Sequence, residues 1–342
     1  MIIVQSRKAI VLKANNPNQI MGCIPAAKTF MFKGHQLVYV PHGLDETKVL
    51  RNMGCAVPSP MQYQYDWPKK EGVHDPFAHQ RVTSEFLTHH KRCAVLNAPR
   101  TGKTASCLWT ADYLMKQNLV RKVLIISPLS TLERVWHDEL YLTFWWRKVV
   151  VLYGDRAKRL RLLQEEADFY IVNHDGFGII KNALPPDIDV IIYDEAAVMR
   201  NANTNRFRHF FSFLQQRPSL RLWLLTGTPT PNAPTDAWTL CKLLGVAALP
   251  RYTMFRDMVM HKISTWSWAA KPGSEQTVMQ YLQPSIRYTR DDCFDLPATM
   301  YETRQCEMSE AQRNLFLALM RRFTTEVDGE RVTAVNEASK IQ

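Results

Sequence analysis

The chain has 342 residues, 46% hydrophobic and 22% charged, with a net charge of +11. That length predicts two or three domains of ordinary globular composition. No apolar run is long enough to span a bilayer, and Met1-Ile2-Ile3-Val4 meets Arg7-Lys8 too early for a signal peptide. The positive charge points to a polyanionic partner. Seven cysteines, at 23, 55, 93, 107, 241, 293 and 306, show no C-x-x-C spacing, which fits reduced thiols in a cytoplasmic compartment.

Residues 1–70 are expected to form a basic α+β accessory module, with nine Lys/Arg against three Asp/Glu. Short β-type runs (Ile10 to Leu12, Thr29 to Phe32, Leu37 to Tyr39) are parted by turn signals at Asn15-Asn16-Pro17 and Lys33-Gly34. A helix is expected over Asp45 to Asn52. Pro58, Pro60 and Pro68 mark a linker carrying Tyr63, Tyr65 and Trp67. Those aromatics either dock the module or stack bases.

Residues 71–245 alternate strand and helix patterns. Strands are expected at 94–97, 122–127, 148–152, 168–173, 189–193 and 220–226, and helices at 103–117, 131–140, 156–166, 204–215 and 235–244. Near-continuous apolar runs such as Val190-Ile191-Ile192-Tyr193 read as strands covered on both faces. The fold class is therefore α/β, a doubly wound parallel sheet whose strand carboxyl ends carry the site. Trp145-Trp146 reads as core. Trp266 and Trp268 read as packed on helices near 255–262. Residues 246–325 form a helical insertion and bridge, with a helix from Ser309 to about Phe323, and 326–342 form a polar tail.

Asn97-Ala98-Pro99-Arg100-Thr101-Gly102-Lys103-Thr104 lies between an apolar run and a helical one. Such a turn aims backbone N–H groups at phosphates; Lys103 adds a charge and the Thr104 hydroxyl reaches Mg²⁺. About ninety residues later a buried strand ends in Asp194-Glu195. Asp194 would hold Mg²⁺ and Glu195 would polarise the attacking water. Leu224-Leu225-Thr226-Gly227-Thr228-Pro229 closes another buried strand.

The ordered set resembles superfamily 2 helicases, most of all the Swi/Snf-type translocases, over about 75–325. The resemblance implies a RecA-like P-loop NTPase lobe using ATP and Mg²⁺. Phe77-Ala78-His79-Gln80 resembles the family's glutamine motif, which implies an adenine-reading role for Gln80. Pro99, Arg100, Thr101, Gly102, Lys103 and Thr104 take the nucleotide-loop positions. Ile126-Ser127-Pro128-Leu129-Ser130-Thr131-Leu132 with Trp136, and Ile171-Val172-Asn173-His174, are similar to loops that touch nucleic-acid backbone. They imply contacts by Ser130, Thr131, Asn173 and His174, with Thr228 a third point. Asp194-Glu195-Ala196-Ala197 resembles the DEAH-type box, and Leu225 to Asn232 the "L-T-G-T-P-x-x-N" element, with Thr226 and Gly227 coupling the two. Pro284 to Arg290, Leu296-Pro297 and Met308 to Arg313 resemble the bridge to a second lobe. The first 70 residues are more like bacteriophage-encoded members, which implies a bacterial or phage-infected cell.

Three departures stand out. Asn97 replaces the first glycine of the phosphate-loop pattern, Arg100 replaces a second, and Ala197 replaces the histidine of the acidic box. The expected function is the ATP-binding motor lobe of a DNA translocase or helicase on double-stranded or branched DNA. No second sheet pattern follows residue 325, so the second RecA-like lobe with its arginine fingers is expected elsewhere, and hydrolysis by this chain alone is expected to be slow. Two alternatives stand beside it: an RNA helicase of the same superfamily, and a non-catalytic ATP-dependent interaction module.

Overall fold

Alternating side chains organise the N-terminal strands. The computed structural model describes residues 1–264, 267–293, 302, 306–322, 324–327 and 330–333. The first strands are β1 (Ile2–Val4), β2 (Ala9–Leu12), β3 (Lys28–Phe32) and β4 (His35–Pro41), antiparallel in the order β1-β2-β4-β3. Ile10, Leu12, Val38 and Val40 point to one face and are buried with Ile20 of helix Pro17–Cys23 and Leu50 of helix Leu44–Asn52. Asn16 caps the first of these helices, accepting from Gln19 N at 3.2 Å. Neither that helix nor β1 has a strong sequence pattern, whereas the helix expected at Asp45 forms within a residue of its place.

The module is held to helix Ala78–His89. Glu85 pairs with Arg51 and accepts from Gln62 Nε2 at 2.9 Å, while the His42 ring meets Pro58 O at 2.9 Å. Two of the three linker aromatics dock: Tyr65 and Trp67 are buried, their rings 5.7 Å from those of Tyr113 and Trp109 respectively, while Tyr63 stays 39% exposed.

His89 gives this seam a pH response. Burial, reinforced by the Arg51 cation, lowers its pKa to about 4. The unfolded chain takes up that proton near 6.5, so stability is complete above that value and falls as pH drops from there toward 4. The expected loss is roughly 2 kcal/mol after allowing for solvent screening. Urea unfolding at pH 7 and pH 4.5 measures it, and His89→Gln should reduce the difference by about that amount, leaving the share of His42, His90 and His174, whose pKa values burial also lowers.

The apolar runs become a seven-stranded parallel sheet. Its first six strands are β5 (Arg92–Val95), β6 (Lys122–Ser127), β7 (Val149–Val151), β8 (Phe169–Asn173), β9 (Ile188–Tyr193) and β10 (Arg221–Leu225). After a small hairpin, β11 (Met260–Lys262) with β12 (Trp268–Ala270), comes β13 (Ser285–Ile286). The order is β13-β5-β10-β9-β6-β8-β7. Alternate residues feed two cores. Cys93, Val95, Ile125, Ile171, Ile192 and Leu225 pack with helix Lys103–Lys116. Ala94, Ile126, Val172, Tyr193 and Leu224 pack with helices His174–Ile180, Asn205–Gln215 and Ala237–Leu244. This is the RecA-like doubly wound α/β fold, with a small antiparallel sheet before it.

Two sequence readings change. The segment read as one helix over 131–140 is a short 3₁₀ turn, a π-helix over Leu132–His137 and an α-helix over Asp138–Thr143. Trp145 and Trp146 are 78% and 38% exposed rather than core, because the chain turns outward after Phe144, which takes the buried place. Trp268 packs as expected, with Arg256 at 4.0 Å over its ring. Trp266, Leu296-Pro297 and positions 334–342 of the tail lie outside the described residues. Met1–Phe294 form one compact unit. A second, Asp295–Gln342, contains helix Glu310–Arg322 and an antiparallel pair, β14 (Thr324–Val327) with β15 (Glu330–Thr333).

Candidate nucleotide-binding and coupling site

The parallel register brings the motifs together. Leu224 of β10 sits opposite Ala94 of β5 on one side and Tyr193 of β9 on the other. With strands about 4.8 Å apart, the loops after β5 and β9 emerge roughly 10 Å from one another at the same end of the sheet. Open α/β sheets bind ligands at that end.

The first loop leads into helix Lys103–Lys116, with Gly102 at φ +82° as its N-cap. That conformation favours glycine, and a Cβ there would lie 2.0 Å from Gln80 Nε2 and displace that amide. Arg100 is exposed and adopts φ +69°. It holds the left-handed conformation a glycine would adopt freely, at a cost of about 1 kcal/mol. Lys103 Nζ donates to Asn97 O at 2.8 Å and Ala98 O at 3.2 Å. Burial lowers its pKa, opposed by the charges of Glu195 and Asp194. Thr104 is half-buried in the first helical turn, and Pro99 is exposed.

Neighbouring elements fasten this loop. Gln80 Oε1 accepts from Phe77 N at 3.0 Å and Gln80 Nε2 donates to Thr101 O at 3.4 Å, while the His79 ring meets the same carbonyl at 2.9 Å. Asn97 is 1% exposed: its Nδ2 donates to Thr83 Oγ1 at 3.0 Å and its Oδ1 accepts from Tyr288 N at 3.1 Å. Its side chain thus ties helix Ala78–His89 to the segment after β13, which a glycine could not do. Arg290 Nε reaches Pro99 O at 3.4 Å, placing a second guanidinium at the loop beside that of Arg100. Apart from the bond between Gln80 and Phe77, three residues apart at the helix start, these ties have no local sequence signal.

At the end of β9, Asp194 Oδ2 accepts from Trp136 Nε1 at 3.0 Å and Oδ1 from Glu195 N at 3.0 Å. Burial raises the Asp194 pKa. The π-helix over Leu132–His137 carries Trp136, fully buried, to this carboxylate; π-helical turns are rare and gather at functional sites. Glu195 is exposed at φ +50°, so the backbone turns sharply between the two acids. Partial desolvation and the Asp194 charge raise its pKa.

His174 lies 9% exposed, stacked 5.1 Å from Tyr193, its ring 2.8 Å from Asp194 O. It therefore braces the acidic turn from within rather than facing outward. Asn173 Oδ1 accepts from Arg159 Nη1 at 2.9 Å, and Arg159 also binds Leu152 O at 2.9 Å. Arg159, one of the basic residues of helix Arg156–Leu162, is thus spent on the loop it covers. Ser130 and Thr228 are exposed, and Thr131 Oγ1 donates to Pro128 O at 3.1 Å.

Thr226 is fully buried, its Oγ1 donating to Thr228 O at 3.2 Å. Beside it, a Cβ on Gly227 would lie 2.9 Å from Pro99 Cδ. The turn after β10 therefore rests on the nucleotide loop. Gly227→Ala is expected to push Pro99 aside, costing about 1–3 kcal/mol. A lower melting temperature with several-fold weaker Mg·ATP binding by calorimetry would show it.

The SNF2-related domain model matches residues 86–341, and the chain belongs to that family. It is 26% identical over 278 residues to the zebrafish SWI/SNF-related matrix-associated actin-dependent regulator of chromatin subfamily A containing DEAD/H box 1A, covering 75% of this chain and 27% of that protein. It is 22% identical over 284 residues to protein p41 of Acyrthosiphon pisum secondary endosymbiont phage 1, covering 78% and 61%. The Sulfolobus solfataricus SWI2/SNF2 ATPase core in complex with dsDNA superposes with a TM-score of 0.52 at 18% identity, over 66% of this chain and 47% of that one. The chain thus spans about a quarter of the zebrafish relative and under two thirds of the phage protein. No described helix is long and apolar enough to cross a membrane.

Proposed function

We propose that this chain is the ATP-binding motor lobe of a DNA-dependent ATPase, a translocase or helicase that couples hydrolysis to movement along DNA. The observation that carries this reading is the convergence of Lys103, Thr104 and the acidic pair at one end of the sheet, on the loops after two strands that flank β10. The donor set fits a metal-bound triphosphate. The start of a fourteen-residue helix favours anions, and Lys103 holds only loop carbonyls that phosphate oxygens can replace. The Thr104 hydroxyl and the Asp194 carboxylate are hard oxygen donors suited to Mg²⁺, which when bound polarises the terminal phosphate. Glu195 orients and deprotonates the attacking water.

The Gly227–Pro99 contact passes changes in the loop to Thr228, an exposed residue beside the nucleic-acid path. Ser130 and Thr131 offer backbone-type contacts, and Asn173 contributes by fixing its loop through Arg159. The net charge of +11 and the relative solved on dsDNA support DNA as the track. A second RecA-like lobe would close on the nucleotide and bring arginine to the developing charge, so full activity requires one. The free cysteines fit a reducing compartment, and the phage relative a bacterial host.

Lys103→Ala tests the site without relying on turnover. Losing one charged hydrogen-bonding group should weaken Mg·ATP binding by at least about tenfold in calorimetry. Unchanged affinity in a folded variant rejects the nucleotide site.

A further inference from the structure

The uncovered face of the N-terminal sheet has no part in the motor site. Its helices lie on the side of Ile10, Leu12, Val38 and Val40. The opposite side carries Val11, Tyr39 and Lys28 in register across three strands, with Phe30 opposite Leu37 and Phe32 opposite His35. Ile2 pairs with Val11 on the fourth strand. Along β3 the outward residues are Lys28, Phe30 and Phe32, as the two-residue period requires.

Large apolar groups on this side meet solvent: Ile2 is 66%, Phe30 39% and Phe32 55% exposed. A groove of about 600 Å³ runs between Val4, Arg7, Val11, Lys28, Phe30 and Tyr39. The charge is one-sided. Residues 1–44 contain Arg7, Lys8, Lys13, Lys28 and Lys33 and no acid; the first is Asp45. Lys33 Nζ lies 5.5 Å from the Phe32 ring centre. Open aromatic rings set among cations, in a stretch of chain without a carboxylate, match what unpaired bases and their backbone need. A duplex keeps its base faces stacked and offers these rings nothing to stack on.

We propose that this face is a second nucleic-acid site, one that binds a single strand by stacking on Phe30 and Phe32 while Arg7, Lys28 and Lys33 hold its phosphates. The inference does not depend on the ATPase reading. It gives the molecule a grip on unpaired strand separate from the motor loops.

The test uses the full chain and a fluorescent dT oligonucleotide of about twenty nucleotides, read by anisotropy in the absence of ATP. Phe30→Ala/Phe32→Ala should weaken binding by about tenfold or more. Lys28→Glu/Lys33→Glu should weaken it as well and reduce its salt dependence. Both pairs are exposed, so the variants should melt as wild type does. Binding of a fluorescent ATP analogue reads the motor site separately, so failure here and failure there are distinguishable. The proposal is overturned if the aromatic variant binds the strand as wild type does, or if it loses a matched duplex equally. It is also overturned if sedimentation shows a dimer that the aromatic variant abolishes, which would assign the face to a second copy of the chain.

Discussion

Replacing Glu195 by Gln is expected to lower single-turnover ATP cleavage by about 10²–10⁴-fold while Mg·ATP still binds. Gln keeps the size of the side chain and its ability to hold a water, but it cannot take a proton. The geometry gives Glu195 the character of a base. Partial desolvation and the adjacent Asp194 charge both raise its pKa, so it holds a proton more strongly than an ordinary carboxylate. Cleavage should therefore fall as pH drops, and sooner than it would with an unperturbed carboxylate as the base. In the Gln variant the Glu195 part of this limb should vanish, leaving that of Asp194, whose pKa burial also raises. Phosphate release measured across pH with enzyme in excess gives both results. A Gln variant that cleaves ATP at the wild-type rate removes Glu195 from the chemistry and favours a lobe in which nucleotide serves only to order the structure.

The parts of this site legible in the sequence are those with local causes. Gly102-Lys103-Thr104 and Asp194-Glu195 each sit where an apolar strand ends, so turn chemistry and strand period place them without knowledge of the rest. Thr226-Gly227 is legible as a strand end, but its contact with Pro99 joins positions far apart in the chain. Asn97, His174 and Trp136 mislead in the same way. Each stands out for its place in a motif, and each is held by a partner from another element that the motif does not reveal. Asn97 reads as a damaged glycine until the fold supplies Thr83 and Tyr288 as its partners. The π-helix is illegible for a related reason: its extra residue per turn serves the reach of Trp136 to Asp194, not any local propensity. In the N-terminal sheet, period-two patterning places three strands. β1 is lost among terminal apolar residues that gain meaning only beside β2.

Asp112→Ala is expected to have the largest effect on stability. Asp112 lies midway along the helix that begins at Lys103, where an acid would ordinarily face water, yet its side chain is fully buried. Tyr65 donates to it at 2.8 Å from the linker, and Arg147 at 2.7 and 2.8 Å from the chain before β7. Trp146 Nε1 adds a bond at 3.2 Å, and Lys116 stands 3.5 Å away. Burial and the Asp112 charge both raise the Tyr65 pKa, so the phenol stays protonated and donates. One carboxylate thus joins the accessory module's linker, the nucleotide-loop helix and the edge of the sheet. Truncation would take the nearer counter-charge from the Arg147 guanidinium, only 16% exposed, and leave it Asp168 alone at 3.6 Å. Breaking such a pair from one side costs about 3–5 kcal/mol, against a total stability of roughly 5–15 kcal/mol. Tyr65→Phe removes only one hydrogen bond from the same group and should cost about 1 kcal/mol. Urea unfolding of both variants and of the double variant gives the coupling, which should be close to the whole Tyr65 effect, since the phenol has no other partner once Asp112 is gone. If Asp112→Ala costs less than the single hydrogen bond of Tyr65, water enters the cluster and the acid is not the clamp that joins these three elements.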